Sequence, residues 1–228
     1  MTKKPADWLV RTLWSAVIFL GLIGILAAVL RALALSFPSR LSGGPPQARA
    51  FETGFARHPL LTFFHIIPGL LFMILGPLQF VPGIRSKHLS LHRWSGRIFA
   101  ACGLVIGVSA LAMSFQMAIG GANETAATVL YAILFLFFLL KAFVHIRRRE
   151  IAAHREWMVR AFAIGLAIAT IRPIVGVFFA TSRVTHLTPQ EFFGTAFWIG
   201  FTLHLIVAEA WIYHTRLVSP FPAHSPAD

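Results

Sequence analysis

The chain has 228 residues, of which 57% are hydrophobic and only 12% are charged. So few polar side chains cannot cover the exterior of a soluble fold of this length, which argues against a water-soluble protein. The net charge of +12 is compatible with nucleic acid or with a membrane surface as partner. Because the basic residues lie in short stretches between long uncharged runs, the pattern favours the membrane and no nucleic acid.

Six apolar stretches are long enough to cross the hydrocarbon core of a bilayer as helices. The sequence therefore predicts an all-α, polytopic transmembrane helix bundle. Its six spans are Leu9 to Leu30, Pro59 to Val81, Ile98 to Ile119, Thr125 to Ile146, Val159 to Thr181, and Phe192 to Tyr213.

The first stretch has features of a signal peptide, since Lys3 and Lys4 precede an apolar core and small residues follow it. Its uncharged run is longer than a typical signal core, and Arg31 stands where a cleavage region is neutral. We interpret the stretch as a retained membrane anchor, with cleavage as the alternative.

Three regions follow from this interpretation. Residues 1–57 form an N-terminal membrane anchor with an extracytoplasmic loop, which includes the linker-like residues 42–46. Residues 58–216 form a five-span helical membrane domain. Residues 217–228 are proline-rich and are predicted to be a disordered tail.

The distribution of Lys and Arg predicts the orientation in the membrane. With the N-terminus inside, the outer side receives only Arg31, Arg40, Arg49, Arg57 and Arg183. The pattern predicts a multi-pass protein of the bacterial inner membrane with both termini in the cytoplasm. The basic residues of the inner face predict anionic lipid headgroups as partners there.

Ten histidines are the feature that points to chemistry. His92 and His154 fall at the cytoplasmic ends of the third and fifth spans, at one membrane level, and His88 and His145 lie at the same level. His65 lies on the second span, and His204 lies near the middle of the sixth.

Residues 92–97 and 154–160 share one order of residue types: a His-Arg pair, a Trp, and a further Arg at the helix entrance. An interface belt, with Trp at headgroup depth and Arg on lipid phosphates, is one explanation. It explains the histidines less well, because an uncharged imidazole gains little from a phosphate.

The HRxxGR block at 92–97, the HRxWMxR block at 154–160, the span-two histidine, the Arg172-Pro173 pair and Glu209 together resemble a family. It comprises the bacterial membrane proteins grouped as domain of unknown function 2306 (DUF2306). The resemblance covers roughly residues 57–216 and implies no defined activity. It implies that the family's polar positions are occupied by His65, His92, His154, Arg172 and Glu209. The bundle is also similar, more loosely and by architecture alone, to membrane cytochromes of the cytochrome b561 kind.

A haem b site needs two neutral imidazoles on facing helices, with basic groups near the propionates. We predict His92 and His154 as ligands of a haem or a metal, with His65 and His204 as deeper candidates. Candidate propionate partners are Arg93, Arg97, Arg155 and Arg160. Gly103 and Gly107 would admit a flat ring, although a helix-packing face is the simpler interpretation.

A cofactor-free small transporter or assembly factor is the alternative function. The single Cys102 excludes an intrachain disulfide, a Cys-rich zinc site and a c-type haem motif. The sequence has no phosphate-binding loop and no hydrolase motif, so catalysis of the soluble type is not expected.

Arg172 and Glu209 are charges inside the membrane spans, where an ionisable group needs a partner or water. From its depth, Glu209 is predicted to pair with Arg160. Two interpretations stay open for these charges: contacts that hold the bundle together, and a proton or quinone site.

Overall fold

The computed structural model describes residues 7–37 and 53–218, which contain helices and no strand. Apart from a short helical segment at 53–57, the helices are α1 (Asp7–Ser36), α2 (Pro59–Phe80), α3 (Pro82–Lys87), α4 (Leu89–Gln116), α5 (Gly121–Arg147), α6 (Ile151–Thr185) and α7 (Pro189–Val218). All except α3 are long and apolar enough to cross a membrane, which confirms the predicted all-α bundle with six spans. The linker-like residues 42–46 and tail residues 219–228 lie outside the described residues, whereas 217 and 218 still belong to α7.

Two of the helices begin well before the apolar stretches from which they were predicted. Helix α4 begins at Leu89, and α6 begins at Ile151. Leu, Ala, Arg and Glu are strong helix formers, so the helical conformation continues beyond the apolar part of each span. As a result, the blocks at 92–97 and 154–160 lie inside helices, and their side chains have fixed directions.

Contacts between neighbouring helices join five of them, α1, α2, α4, α5 and α6, into a closed ring. Helix α2 packs against α1 and α4, α5 packs against α4 and α6, and α6 packs back against α1. Helix α7 packs against α5 and α6.

Phenylalanine rings fill the middle of the bundle. Phe72 of α2 stacks on Phe99 of α4 with 4.2 Å between ring centroids, and Phe162 of α6 packs against both. Phe72 and Phe99 are almost completely buried. A Cβ atom on Gly165 would collide with the ring of Phe72, so this glycine makes room for the ring.

Gly103 and Gly107 form the contact face of α4 with α5. A Cβ on Gly103 would lie 2.8 Å from Leu139 Cδ1, and one on Gly107 would lie 2.5 Å from Leu136 Cδ2. The two glycines therefore allow the helices to approach closely. This confirms the packing interpretation and leaves no slot for a porphyrin on this face.

Candidate functional site

His92 and His154 both lie at one end of the bundle, which we call the basic end: the ends of α2, α5 and α7, helix α3, and the first three turns of α4 and α6. Helix α3 crosses this end just before α4, and its Arg85 lies within electrostatic reach of His92. The structure thus places the two predicted ligands at the same end of the bundle, where Arg85 of α3 also lies.

The ring of His154 is held in a defined tautomer. Its Nδ1 lies 2.8 Å from the carbonyl oxygen of Ala142 on α5. A carbonyl oxygen can only accept, so Nδ1 carries the proton and Nε2 keeps its lone pair. A histidine that binds a metal through Nε2 usually donates its other N–H in this way.

The ring of His92, unlike that of His154, has a buried nitrogen that forms no hydrogen bond with the described residues. Its Nδ1 is buried and has no hydrogen-bond partner among the described residues. Buried polar nitrogens are nearly always satisfied, so an unpartnered one suggests a ligand or a functional role. The Nε2 atom of His214, near the same end of α7, is the second such nitrogen in the described part of the chain.

A buried polar contact connects α2 to the beginning of α4, beside His92. Gln79 Nε2 donates to Ser95 Oγ at 2.8 Å, and Ser95 Oγ donates to the carbonyl oxygen of Leu91 at 2.7 Å. A Cβ on Gly96 would lie 3.0 Å from Gln79 Oε1, so this glycine leaves space for the amide. These bonds fix the helix turn from which His92 projects.

Two of the four arginines predicted as propionate partners, Arg97 and Arg160, have other neighbours. The guanidinium of Arg160 forms a two-pronged ion pair with Glu209 of α7, with Nε–Oε1 at 2.5 Å and Nη2–Oε2 at 2.9 Å. The predicted Arg160–Glu209 pair is therefore confirmed. The Arg97 guanidinium lies over the ring of Trp94, 4.9 Å from its centroid.

His65 and His204 lie at other levels, each bonded to a neighbouring helix. His65 Nδ1 lies 2.9 Å from Ser109 Oγ of α4, and His204 Nε2 lies 2.7 Å from Thr170 Oγ1 of α6. Ser109 is 17 residues beyond His92 and Thr170 is 16 beyond His154, which corresponds to about 24–26 Å along the helices. Neither histidine can share a ligand with the His92–His154 pair.

Arg172 lies in the middle of α6 and is exposed on the surface of the bundle. It forms no hydrogen bond or ion pair with any residue in the described ranges, and Arg31 of α1 lies within electrostatic reach of it. Glu209 is thus paired, whereas Arg172 is a cation in a membrane span without a counter-charge among those residues.

Within residues 7–37 and 53–218, no three His, Cys, Asp or Glu side chains are grouped closely enough to hold a metal ion. Cys102 is buried. A protein-only site of the structural zinc type, which uses four ligands, is therefore not formed by these residues. The two-histidine arrangement at the basic end remains the candidate site.

The fold and these polar positions define a polytopic α-helical membrane protein with a histidine pair at one end of the bundle. The chain belongs to the family described as predicted membrane protein (DUF2306), whose model matches residues 62–212. The match covers α2 to α7 almost completely and includes His65, His92, His154, Arg172 and Glu209. No curated protein and no solved structure matches the chain.

Proposed function

We propose that the chain is a membrane-embedded haem b protein whose iron is held by His92 and His154. One observation carries the proposal: the Ala142 carbonyl fixes His154 with a free Nε2, at the same end of the bundle as a His92 ring whose Nδ1 has no partner among the described residues. Two neutral imidazoles on different helices are the donor set of a bis-histidine haem. Bound haem would supply one-electron transfer, and the protein's residues would hold and orient it.

The packing of the bundle restricts where such a haem could lie. The phenylalanine rings around Phe72 and Phe99 occupy the centre, so the interior position typical of cytochrome b561-like proteins is filled. In this proposal, His92 of α4 and His154 of α6 would hold the haem at the basic end. His65 and His204, which are bonded to Ser109 and Thr170, are not ligands in this proposal.

An optical spectrum tests the proposal directly. The full-length chain is purified in mild detergent after expression with added haem precursor, and spectra are recorded before and after reduction with dithionite. We expect the sharp reduced bands of a six-coordinate, bis-imidazole haem that can be extracted by acidic acetone. A flat visible region from well-folded protein would overturn the proposal.

A cofactor-free membrane protein, either a small transporter or an assembly factor, is the second candidate. It is favoured by the number of polar groups that already have protein partners across helices, namely His65, His204 and the Arg160–Glu209 pair. In that case His92 and His154 also act only in packing. The two candidates differ in one readily measured quantity, the haem content of the purified protein.

We further propose that the basic end faces the cytoplasm of a bacterial inner membrane, with both termini on that side. The excess of Lys and Arg at this end supports the orientation. Single cysteines introduced by Gly44→Cys and Arg149→Cys in a Cys102→Ala background can test it. In intact cells, a membrane-impermeant thiol reagent should label position 44 and not position 149; the reverse pattern would invert the topology.

Anionic lipid headgroups are proposed partners of the same end. Arg147, Arg148 and Arg149 are exposed where α5 ends. An exposed basic cluster beside a span is attracted to anionic lipid by roughly 1 kcal/mol per residue. Replacing all three with Gln should reduce the amount of phosphatidylglycerol that copurifies with the protein; an unchanged amount would contradict this partner.

A further inference from the structure

A single charged residue interrupts the apolar part of α6. Residues 161–182 lie between Arg160 and Arg183, and Arg172 is the only charged residue among them. At 1.5 Å per residue this stretch is about 33 Å long, close to the roughly 30 Å of a hydrocarbon core. Arg172 stands at its middle, so the headgroups of either leaflet are about 15 Å away along the helix. An arginine side chain is shorter than this distance, and its guanidinium therefore stays within the apolar layer.

Arg172 has no counter-charge in the described part of the chain. Its side chain is exposed and forms no hydrogen bond or ion pair with residues 7–37 or 53–218. Arg31 of α1, which lies within electrostatic reach, is itself a cation and cannot neutralise it. The carboxylates in these ranges lie near helix ends or are already paired: Asp7, Glu124, Glu150, Glu156, Glu191 and Glu209. An unpaired guanidinium at this depth is costly, so it needs an anionic partner that these residues do not supply.

The same side of α6 has room for another helix. Gly176 and Ala180 follow Arg172 at intervals of four residues, so the three lie on one side of the helix, and all three are exposed. We call this surface the Arg172 face. A Cβ on Gly176 would meet nothing within 4 Å, whereas one on Gly165 would lie 2.4 Å from the ring of Phe72. Gly165 is thus used for packing inside the bundle and Gly176 is not. Small residues four apart allow membrane helices to approach closely.

We propose that the Arg172 face binds a membrane-spanning helix of another protein that carries an Asp or Glu near its middle. Charge complementarity carries the proposal, because a carboxylate matches a guanidinium with two parallel hydrogen bonds and headgroup phosphates are too distant. A second copy of this chain does not fit. Its described carboxylate nearest the middle of a span, Glu209, is bound to Arg160. The proposal is independent of the haem proposal.

Two model peptides test this docking surface. Each is a hydrophobic helix of about 22 Leu and Ala residues, one with Glu and one with Gln at its centre. The full-length chain carries a donor dye at Arg149→Cys in a Cys102→Ala background. It is reconstituted with each acceptor-labelled peptide in phosphatidylcholine vesicles, and energy transfer reports association. The chain with Arg172 should bind the Glu peptide about tenfold more tightly than the Gln peptide, the order expected for a strong hydrogen bond between membrane helices.

Variants of the Arg172 face sharpen the test. Arg172→Gln should lose the preference for the Glu peptide, and Arg183→Gln, the matched control near the end of the same helix, should keep it. Gly176→Leu should weaken binding of the Glu peptide because it prevents close approach of the peptide, without loss of thermal stability.

Three outcomes would overturn the proposal. The first is equal binding of the two peptides by the chain with Arg172, and the second is an unchanged preference in Arg172→Gln. The third is a preference that appears only in Glu52→Gln. That result would show that a carboxylate of this chain, outside the described residues, already occupies Arg172.

Discussion

The two ends of the bundle differ in how their polar groups are satisfied. At the end where α5 and α7 begin, the buried Glu124 accepts the N–H of Gly120 at 2.7 Å. Asn123 Oδ1 accepts the indole N–H of Trp198 at 2.9 Å. At the basic end, the buried Nδ1 of His92 has no hydrogen-bond partner among the described residues, and the same is true of Nε2 of His214.

This difference separates structural polar groups from candidate functional ones. A polar group that fixes a helix end is satisfied by the protein itself, as Glu124 is. A buried group left unsatisfied in the same fold needs another explanation, such as a ligand, an ion or a water. The comparison therefore favours the basic end as the place of the candidate site.

The largest expected effect concerns the end of the bundle where α5 and α7 begin. A Cβ on Gly194 would lie 2.6 Å from Asn123 Cγ, so Gly194→Ala should displace the amide that binds Trp198. Overpacking of this kind costs up to about 3 kcal/mol of unfolding free energy. Gly176→Ala is the control, because a Cβ there meets nothing within 4 Å. Thermal unfolding in detergent should show a loss of stability for Gly194→Ala only. Equal stability of Gly194→Ala and Gly176→Ala would contradict a structural role for this end of the bundle.

The Arg160–Glu209 pair is a smaller, structural contact within the basic end. The Glu209 side chain is 48% exposed and that of Arg160 is 12% exposed, so the pair contributes less than a fully buried one. We expect Glu209→Gln to cost about 1–2 kcal/mol, and Arg160→Gln with Glu209→Gln to cost less than the two single losses added together. Additive losses of stability would show that the residues do not interact, and a loss of haem would show that the pair belongs to the site.

The smallest expected effect is that of Glu124→Gln. The amide still accepts the Gly120 N–H but lacks the negative charge, so we expect a change of about 1 kcal/mol or less. The melting temperature measures this change. Haem content should equal that of wild type, since Glu124 lies at the end away from His92; reduced content would show that the two ends are coupled.

The sequence predicted the features that depend on composition and helical spacing. The six spans follow from apolar length, the Gly103–Gly107 face follows from small residues four apart, and the Arg160–Glu209 pair follows from depth. Each of these three predictions can be made from the rise per residue of a helix and the thickness of a bilayer alone. The family was likewise identified from short blocks in the correct order.

Contacts between particular side chains of different helices could not be predicted in this way. The bonds of His65 to Ser109 and of Gln79 to Ser95 depend on helix rotation and tilt, which packing sets and apolar length does not. Arg85 was missed because it lies in a short helix outside every predicted span. Its approach to His92 depends on how α3 turns into α4.

The central claim, that His92 and His154 hold one haem, is tested most directly by the haem content of four single variants. His88 precedes α4, and His145 is bonded to Glu150, so both lie at the same end and serve as controls. We expect His92→Ala and His154→Ala to lose nearly all haem, because a bis-imidazole site with one ligand removed binds weakly. His88→Ala and His145→Ala should retain most of it, with a shifted spectrum at most. Wild-type haem content in His92→Ala and His154→Ala, or a wild type without haem, would contradict the account.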